Sequence, residues 1–180
     1  MKGYDPERHR RRSIRLRGHD YAAPRAYFVT ICTHGRLCVF GSICGGQLTL
    51  SPAGHMVAAI LRALPERFPA IEPDALVIMP NHVHAIIATT SSLAEPAARP
   101  PLGAIVGALK SLTTNAYARG VREQGWRPFE GRLWQRNYYE RIVRDEADLG
   151  RVRAYIEQNP ARWEEDDLHP AAAPGRRRQE

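Results

Sequence analysis

Apolar and polar positions fall into runs of two distinct periods from residue 26 onward. AYFVTICTH (26–34) is dense in β-branched and aromatic residues and predicts a strand. RLCVF (36–40) predicts a second, paired with the first as a hairpin through Gly35. Ser51 before Pro52 is a helix N-cap, and Val57, Ile60, Leu61 and Leu64 then recur at helical spacing until Pro69. DALVIMP (74–80) and HVHAIIA (82–88) read as two strands separated by little more than Pro80 and Asn81. SSLAEPAARPP (91–101) predicts a loop, and Ile105, Val106, Leu109 and Leu112 line one side of a helix over 102–119. RLWQRNYYERIVR (132–144) predicts a last strand. DEADLGRVRAYIEQNPARW (145–163) predicts a last helix, acidic at its start and stopped by Asn159-Pro160.

Strand, helix, strand, strand, helix, strand is the order of the split βαβ sandwich, the ferredoxin-like α+β fold: an antiparallel sheet with helices on one face. Here an extra C-terminal helix follows. VIMP and NHVHAII fall on its second and third strands, which leaves the final helix free to cover them.

Composition changes this picture little. The 180 residues suffice for one domain with tails, and a 43% hydrophobic fraction is ordinary for a globular protein. No apolar run approaches the ~18 residues of a bilayer span, and the N-terminus lacks the apolar core of a secretory signal. A cytoplasmic protein without a membrane partner is expected. Three cysteines, Cys32, Cys38 and Cys44, fit a reducing compartment and are read as small buried residues rather than a zinc site.

Charge changes it more. The formal net charge is +7, and Lys2 and Lys110 are the only lysines among 26 basic residues. A solubilising surface would give similar totals, but the distribution is uneven. Arg10, Arg11, Arg12, Arg15 and Arg17 crowd a basic arm (1–20), the folded part spans 21–165, and a tail (166–180), expected to be disordered, ends in Arg176, Arg177 and Arg178. Basic arms around a folded middle suit a nucleic-acid backbone, because the arginine fork matches phosphate oxygens. The arm residues are the leading candidates for phosphate contact, with Lys110 and Arg136 behind them.

The candidate chemistry begins with His82 and His84. Side chains two apart on a strand share a face, so the two imidazoles sit side by side. As neutral rings they offer two lone pairs to one cation, although an isolated HxH is as readily a pair of partly exposed polar residues. Tyr155 and Asn159, four apart on the last helix, share one of its faces. An amide oxygen suits Mg²⁺ or Mn²⁺, and a phenol one turn away would lie beside the metal-bound group. The competing assignment makes Tyr155 part of a packed stripe with Val152 and Ile156, and Asn159 a C-terminal cap. Tyr138 and Tyr139 are expected to pack or to stack on a base, and Tyr117 to pack.

Four segments, RRSIRLRGHDYAAPRAYFVTICTH, VIMPNHVHAII, LWQRNYYERIVRDEADL and YIEQNPARW, resemble the REP-associated tyrosine transposases, a bacterial branch of the single-tyrosine HUH nucleases. The resemblance runs from about residue 10 to 165. It implies His82 and His84 as metal ligands, Tyr155 as nucleophile, and Asn159 as third ligand where relatives more often carry glutamine. The neighbouring Gln158 is turned about 100° away on the helix. It further implies cleavage of single-stranded DNA beside imperfect hairpins through a 5′-phosphotyrosine, with Mg²⁺ or Mn²⁺, by a monomer or a homodimer. Two rival functions use the same fold: a noncatalytic nucleic-acid-binding module that does not need Tyr155, and a metal hydrolase in which water attacks.

Overall fold

The computed structural model describes residues 25–89 and 100–172. The arginine arm, most of the 91–101 loop and the last eight residues lie outside them. Along the chain come β1 (Ala26–Cys32), β2 (Gly41–Cys44), β3 (Gln47–Leu50), α1 (Pro52–Arg62) and the short α2 (Leu64–Arg67). β4 (Ile71–Ile78), β5 (His82–Thr89), α3 (Leu102–Gln124), β6 (Tyr139–Val143) and α4 (Glu146–Gln158) follow. Four strands form one antiparallel sheet in the order β4-β5-β1-β6. That is the strand order of the ferredoxin-like sandwich, as the alternation of elements predicts. Among the described residues no helix is long and apolar enough to cross a membrane.

The two faces of the sheet carry different layers. On one, Tyr27, Val29, Ile31, Val83, Ala85 and Ile87 pack against Val57, Leu61, Ile105, Val106 and Leu109 of α1 and α3. On the other, Phe28 and Ile86 meet Val152 and Ile156 of α4. Fully burying such a side chain stabilises by roughly 1.5–3 kcal/mol, so α4 is held mainly by this small cluster. β5 is therefore buried on both sides, and its residues alternate between a purely apolar core and the layer that holds the histidines.

Three predicted elements differ. Leu37–Phe40 is not a strand: a 3-10 turn (His34–Arg36) follows β1, and the amides of Val39 and Phe40 both donate to the Pro80 carbonyl at 3.0 Å. The hairpin lies further on, β2 with β3, closed by Gly45 and Gly46 at φ 56° and 75°. A two-residue turn with both φ positive matches strand twist and selects glycine, so Gly-Gly was the stronger hairpin signal. Over 132–138 only an isolated Thr33–Trp134 bridge forms. There the carbonyls of Gln135, Arg136 and Asn137 all turn to the Lys110 ammonium, at 2.9, 3.3 and 3.1 Å. Carbonyls that converge on one point cannot alternate as a strand requires. Finally, α3 runs past residue 119 because Gly120 seats the Trp126 indole and the helix ends only at Gly125, φ 68°.

A buried carboxylate fixes the start of α4. Asp148 accepts hydrogen bonds from Arg141 Nη1 (3.0 and 3.2 Å), the Arg144 amide (3.1 Å) and Arg151 Nη2 (3.2 Å), while its own amide is capped by Asp145. The Arg144 amide and then the arginines hold its carboxyl below the usual carboxylate range. A depressed folded-state pKa contributes stability above the unfolded pKa and loses it as pH falls through the folded one. Asp148→Asn should therefore lower the Tm by several degrees at neutral pH, and the gap to wild type should close below about pH 4. Thermal melts across pH check this; a gap constant with pH would refute it.

Candidate active site

His82 and His84 share the face of β5 turned toward α4, at 0% and 2% exposure. Their ring centroids are 4.5 Å apart and their Nε2 atoms 3.0 Å apart. Each ring is anchored through its other nitrogen. Asn81 donates its Nδ2 to the carbonyls of Leu168 (2.8 Å) and Arg36 (3.3 Å), which turns its Oδ1 toward His82 Nδ1 at 2.8 Å. An amide oxygen only accepts, so His82 carries its proton on Nδ1 and keeps a lone pair on Nε2. Across the β1–β5 register Thr30 stands opposite His84, with Oγ1 2.8 Å from Nδ1. A hydroxyl can donate or accept. When Thr30 accepts from His84 Nδ1–H, both Nε2 lone pairs open onto the same space.

Burial sets the charge state. It pushes the His84 imidazole down to about 3. Burial first, then the neighbouring His84 ring, hold His82 well below the ordinary histidine range, opposed in part by the Asn159 side chain. Both rings are neutral at physiological pH, the form that binds a metal.

α4 and the segment after it bring up oxygen. Asn159, 5% exposed, ends the helix with its Oδ1 buried and without a hydrogen-bond partner among the described residues. Gln158 is exposed, as the helical offset from Tyr155 anticipates. A 3-10 segment (Pro160–Glu165) then folds back, so that Trp163 lies 6.1 Å from the His82 ring and Asp166 Oδ2 3.6 Å from His82 Nε2. Asp166 Oδ2 is likewise buried without a hydrogen-bond partner, while its Oδ1 accepts the Leu168 amide at 2.7 Å. Burial raises the Asp166 carboxyl above its usual range. One ligand atom each from His82, His84 and Asp166 lie within 4.8 Å of one another. Two imidazole nitrogens and two buried oxygens that lack a hydrogen-bond partner among the described residues fit a single divalent cation.

Tyr155 lies at the rim. It is 44% exposed, its ring centroid 5.3 Å from His84 and 5.7 Å from Phe28. Phenol and histidine pair thus meet within one chain.

Asp166, Asn81 and Thr30 escaped the sequence reading. Thr30 could have been found from strand pairing and Asn81 from its place beside His82; Asp166 lies in the stretch expected to be tail, yet Asp166 reaches His82, Leu168 ties down Asn81 and His169 packs on Trp163. Of the expected DNA contacts within the described residues, Arg136 is exposed. Lys110 has its three N–H donors met by three carbonyls, with burial drawing its ammonium down to about 8. Tyr117 is buried as expected, whereas Cys38 and Cys44 are exposed and only Cys32 is partly covered.

Similarity to known proteins follows the same residues. The sequence profile of a family described as Transposase IS200 like matches residues 57–159, a span that includes both histidines, Tyr155 and Asn159. An uncharacterized protein of Haemophilus influenzae is 35% identical over 181 residues, covering 92% of this chain and 97% of that one. Among solved structures, a REP-associated tyrosine transposase bound to a REP hairpin shares the fold with a TM-score of 0.59 at 17% identity, over 83% of this chain and 74% of that one.

Proposed function

The chain belongs to the IS200-like transposase family, and from that premise we propose that it is a metal-dependent single-strand DNA endonuclease and strand transferase acting through Tyr155. One observation carries the proposal: a half-exposed phenol 5.3 Å from His84, at the edge of a buried set of nitrogen and oxygen donors. His82, His84 and Asn159 would hold Mg²⁺ or Mn²⁺, with Asp166 as a further oxygen ligand. When bound, the cation draws electron density from the phosphoryl oxygens and stabilises the charge that develops on them.

Tyr155 Oη attacks the phosphorus of a phosphodiester, and the bond to the 3′ oxygen breaks. The proton lost by the phenol ends on the departing 3′ oxygen. The 5′ side stays on Tyr155 as a phosphotyrosyl ester that conserves the bond, so a later 3′-hydroxyl can reverse the step without a nucleotide cofactor. Neutral His82 and His84, held by Asn81 and Thr30, keep the donor set aligned through the exchange.

The substrate is single-stranded DNA beside a hairpin. Arg10, Arg11, Arg12, Arg15 and Arg17 are proposed to contact its phosphates, with the exposed Arg136 beyond them. Since both parts of the site come from one chain, a monomer is sufficient. The test is incubation with labelled hairpin DNA and Mn²⁺ followed by denaturation. A covalent protein–DNA adduct is expected; cleavage with no adduct would favour attack by water, and binding without cleavage a passive module.

Asp166→Asn should weaken Mn²⁺ binding about tenfold, read by calorimetry without DNA, and leave the fold intact. Unchanged affinity would remove Asp166 from the ligand set.

A further inference from the structure

Two of the three large hydrophobic side chains exposed among the described residues stand on either side of Phe28. One is Tyr155. The other is Tyr139, 50% exposed, whose ring meets Phe28 edge-to-face at 6.3 Å. β6 is the edge strand of the sheet, and Tyr139 pairs with Thr30 in the β1–β6 register, so its side chain rises on the same face as the histidines. An aromatic residue left half in water there forgoes a large hydrophobic gain, and its edge contact with Phe28 leaves ring surface open.

The surroundings narrow the occupant. Arg136, three residues before, is exposed, and Arg141, two residues on and on the same face, is 41% exposed at its side chain while its Nη1 is held by Asp148. Cations beside an open aromatic face, next to a nucleophile aimed at phosphorus, suit an unstacked nucleobase attached to a phosphate chain. We infer that Tyr139 is the stacking platform for a base flanking the scissile phosphate, a positioning residue that sets where along the strand Tyr155 attacks. This rests on the single-strand DNA reading above. Stacking accepts any base, so Tyr139 governs grip and register rather than sequence.

The probe is a DNA hairpin with a single-stranded thymidine tail carrying one 2-aminopurine, moved along the tail, with binding followed by fluorescence in the absence of metal. Wild type and Tyr139→Phe should quench the analogue strongly at one tail position. Tyr139→Ala should lose that quenching and bind about tenfold more weakly, while an abasic site at the same position should abolish the difference between Tyr139→Ala and wild type. With Mn²⁺, Tyr139→Ala should still form the Tyr155 adduct, at a raised KM and with cleavage spread over neighbouring positions. Equal quenching by Tyr139→Ala and wild type, or a penalty that persists on abasic DNA, would overturn the inference. An adduct that survives such a result would leave the catalytic proposal standing, whereas Tyr139-dependent quenching in a protein that forms no adduct would overturn the catalytic proposal alone.

Discussion

Tyr155→Phe is expected to abolish the covalent DNA adduct and to lower cleavage by at least about a thousandfold, with DNA affinity and Tm unchanged. The reasoning is local. The substitution deletes one oxygen from a side chain that is 44% exposed and keeps its ring contacts with Phe28 and His84. Little packing is lost, so a large kinetic effect would have to come from the reacting atom itself. Loss of a nucleophile removes the covalent route entirely, and what remains is only what binding and the cation give to attack by water. Tyr139 is the internal control: it is 50% exposed and touches Phe28 as Tyr155 does, but the ring contact with His84 belongs to Tyr155. An adduct formed by Tyr155→Phe, mapped to Tyr139 by mass spectrometry, would reassign the nucleophile. Cleavage by Tyr155→Phe at the wild-type rate would point to water instead.

Strand parity made the histidine pair legible. Once HVHAII is taken as a strand, His82 and His84 must share a face, and the four-residue step from Tyr155 to Asn159 places both on one side of α4. Each statement depends on a period that the backbone enforces locally. What escaped depended on contacts between distant segments. Thr30 meets His84 only through the pairing of β1 with β5, fifty-four residues apart. Asp166 arrives because the chain turns back after Pro160 and Leu168 is tied to Asn81, and nothing in the acidic run EEDD separates this carboxylate from its neighbours.

The misplaced hairpin has a similar cause. RLCVF carries strand-like residues, but its amides are claimed by the Pro80 carbonyl at the entrance to β5, and tertiary demand overrides propensity there. Lys110 reads as a candidate phosphate contact because charge is visible in a sequence and solvation is not. In the fold its ammonium gathers three carbonyls, and the chain leading into β6 bends around it.

His84→Ala should lose Mn²⁺ binding by more than about a hundredfold and lose adduct formation with it, while metal-free affinity for hairpin DNA stays near that of wild type. His84 contributes one of two Nε2 atoms 3.0 Å apart, and without it His82 is left with oxygens alone for company. Divalent first-row ions gain much of their affinity over water from nitrogen ligands, so halving the nitrogen count is costlier than losing one oxygen, as in Asp166→Asn. Thr30→Val separates ligation from orientation. It keeps the volume and the ring but removes the hydroxyl 2.8 Å from His84 Nδ1, and should weaken Mn²⁺ ten- to a hundredfold by freeing the tautomer and tilt of the imidazole. The expected order is therefore Asp166→Asn mildest, Thr30→Val next, His84→Ala most severe. The order is what discriminates, because a merely structural histidine would give losses that follow Tm rather than ligand number. If His84→Ala bound Mn²⁺ as wild type does, or if all three variants lost affinity only in proportion to lost stability, the paired imidazoles would be packing residues and not a metal site.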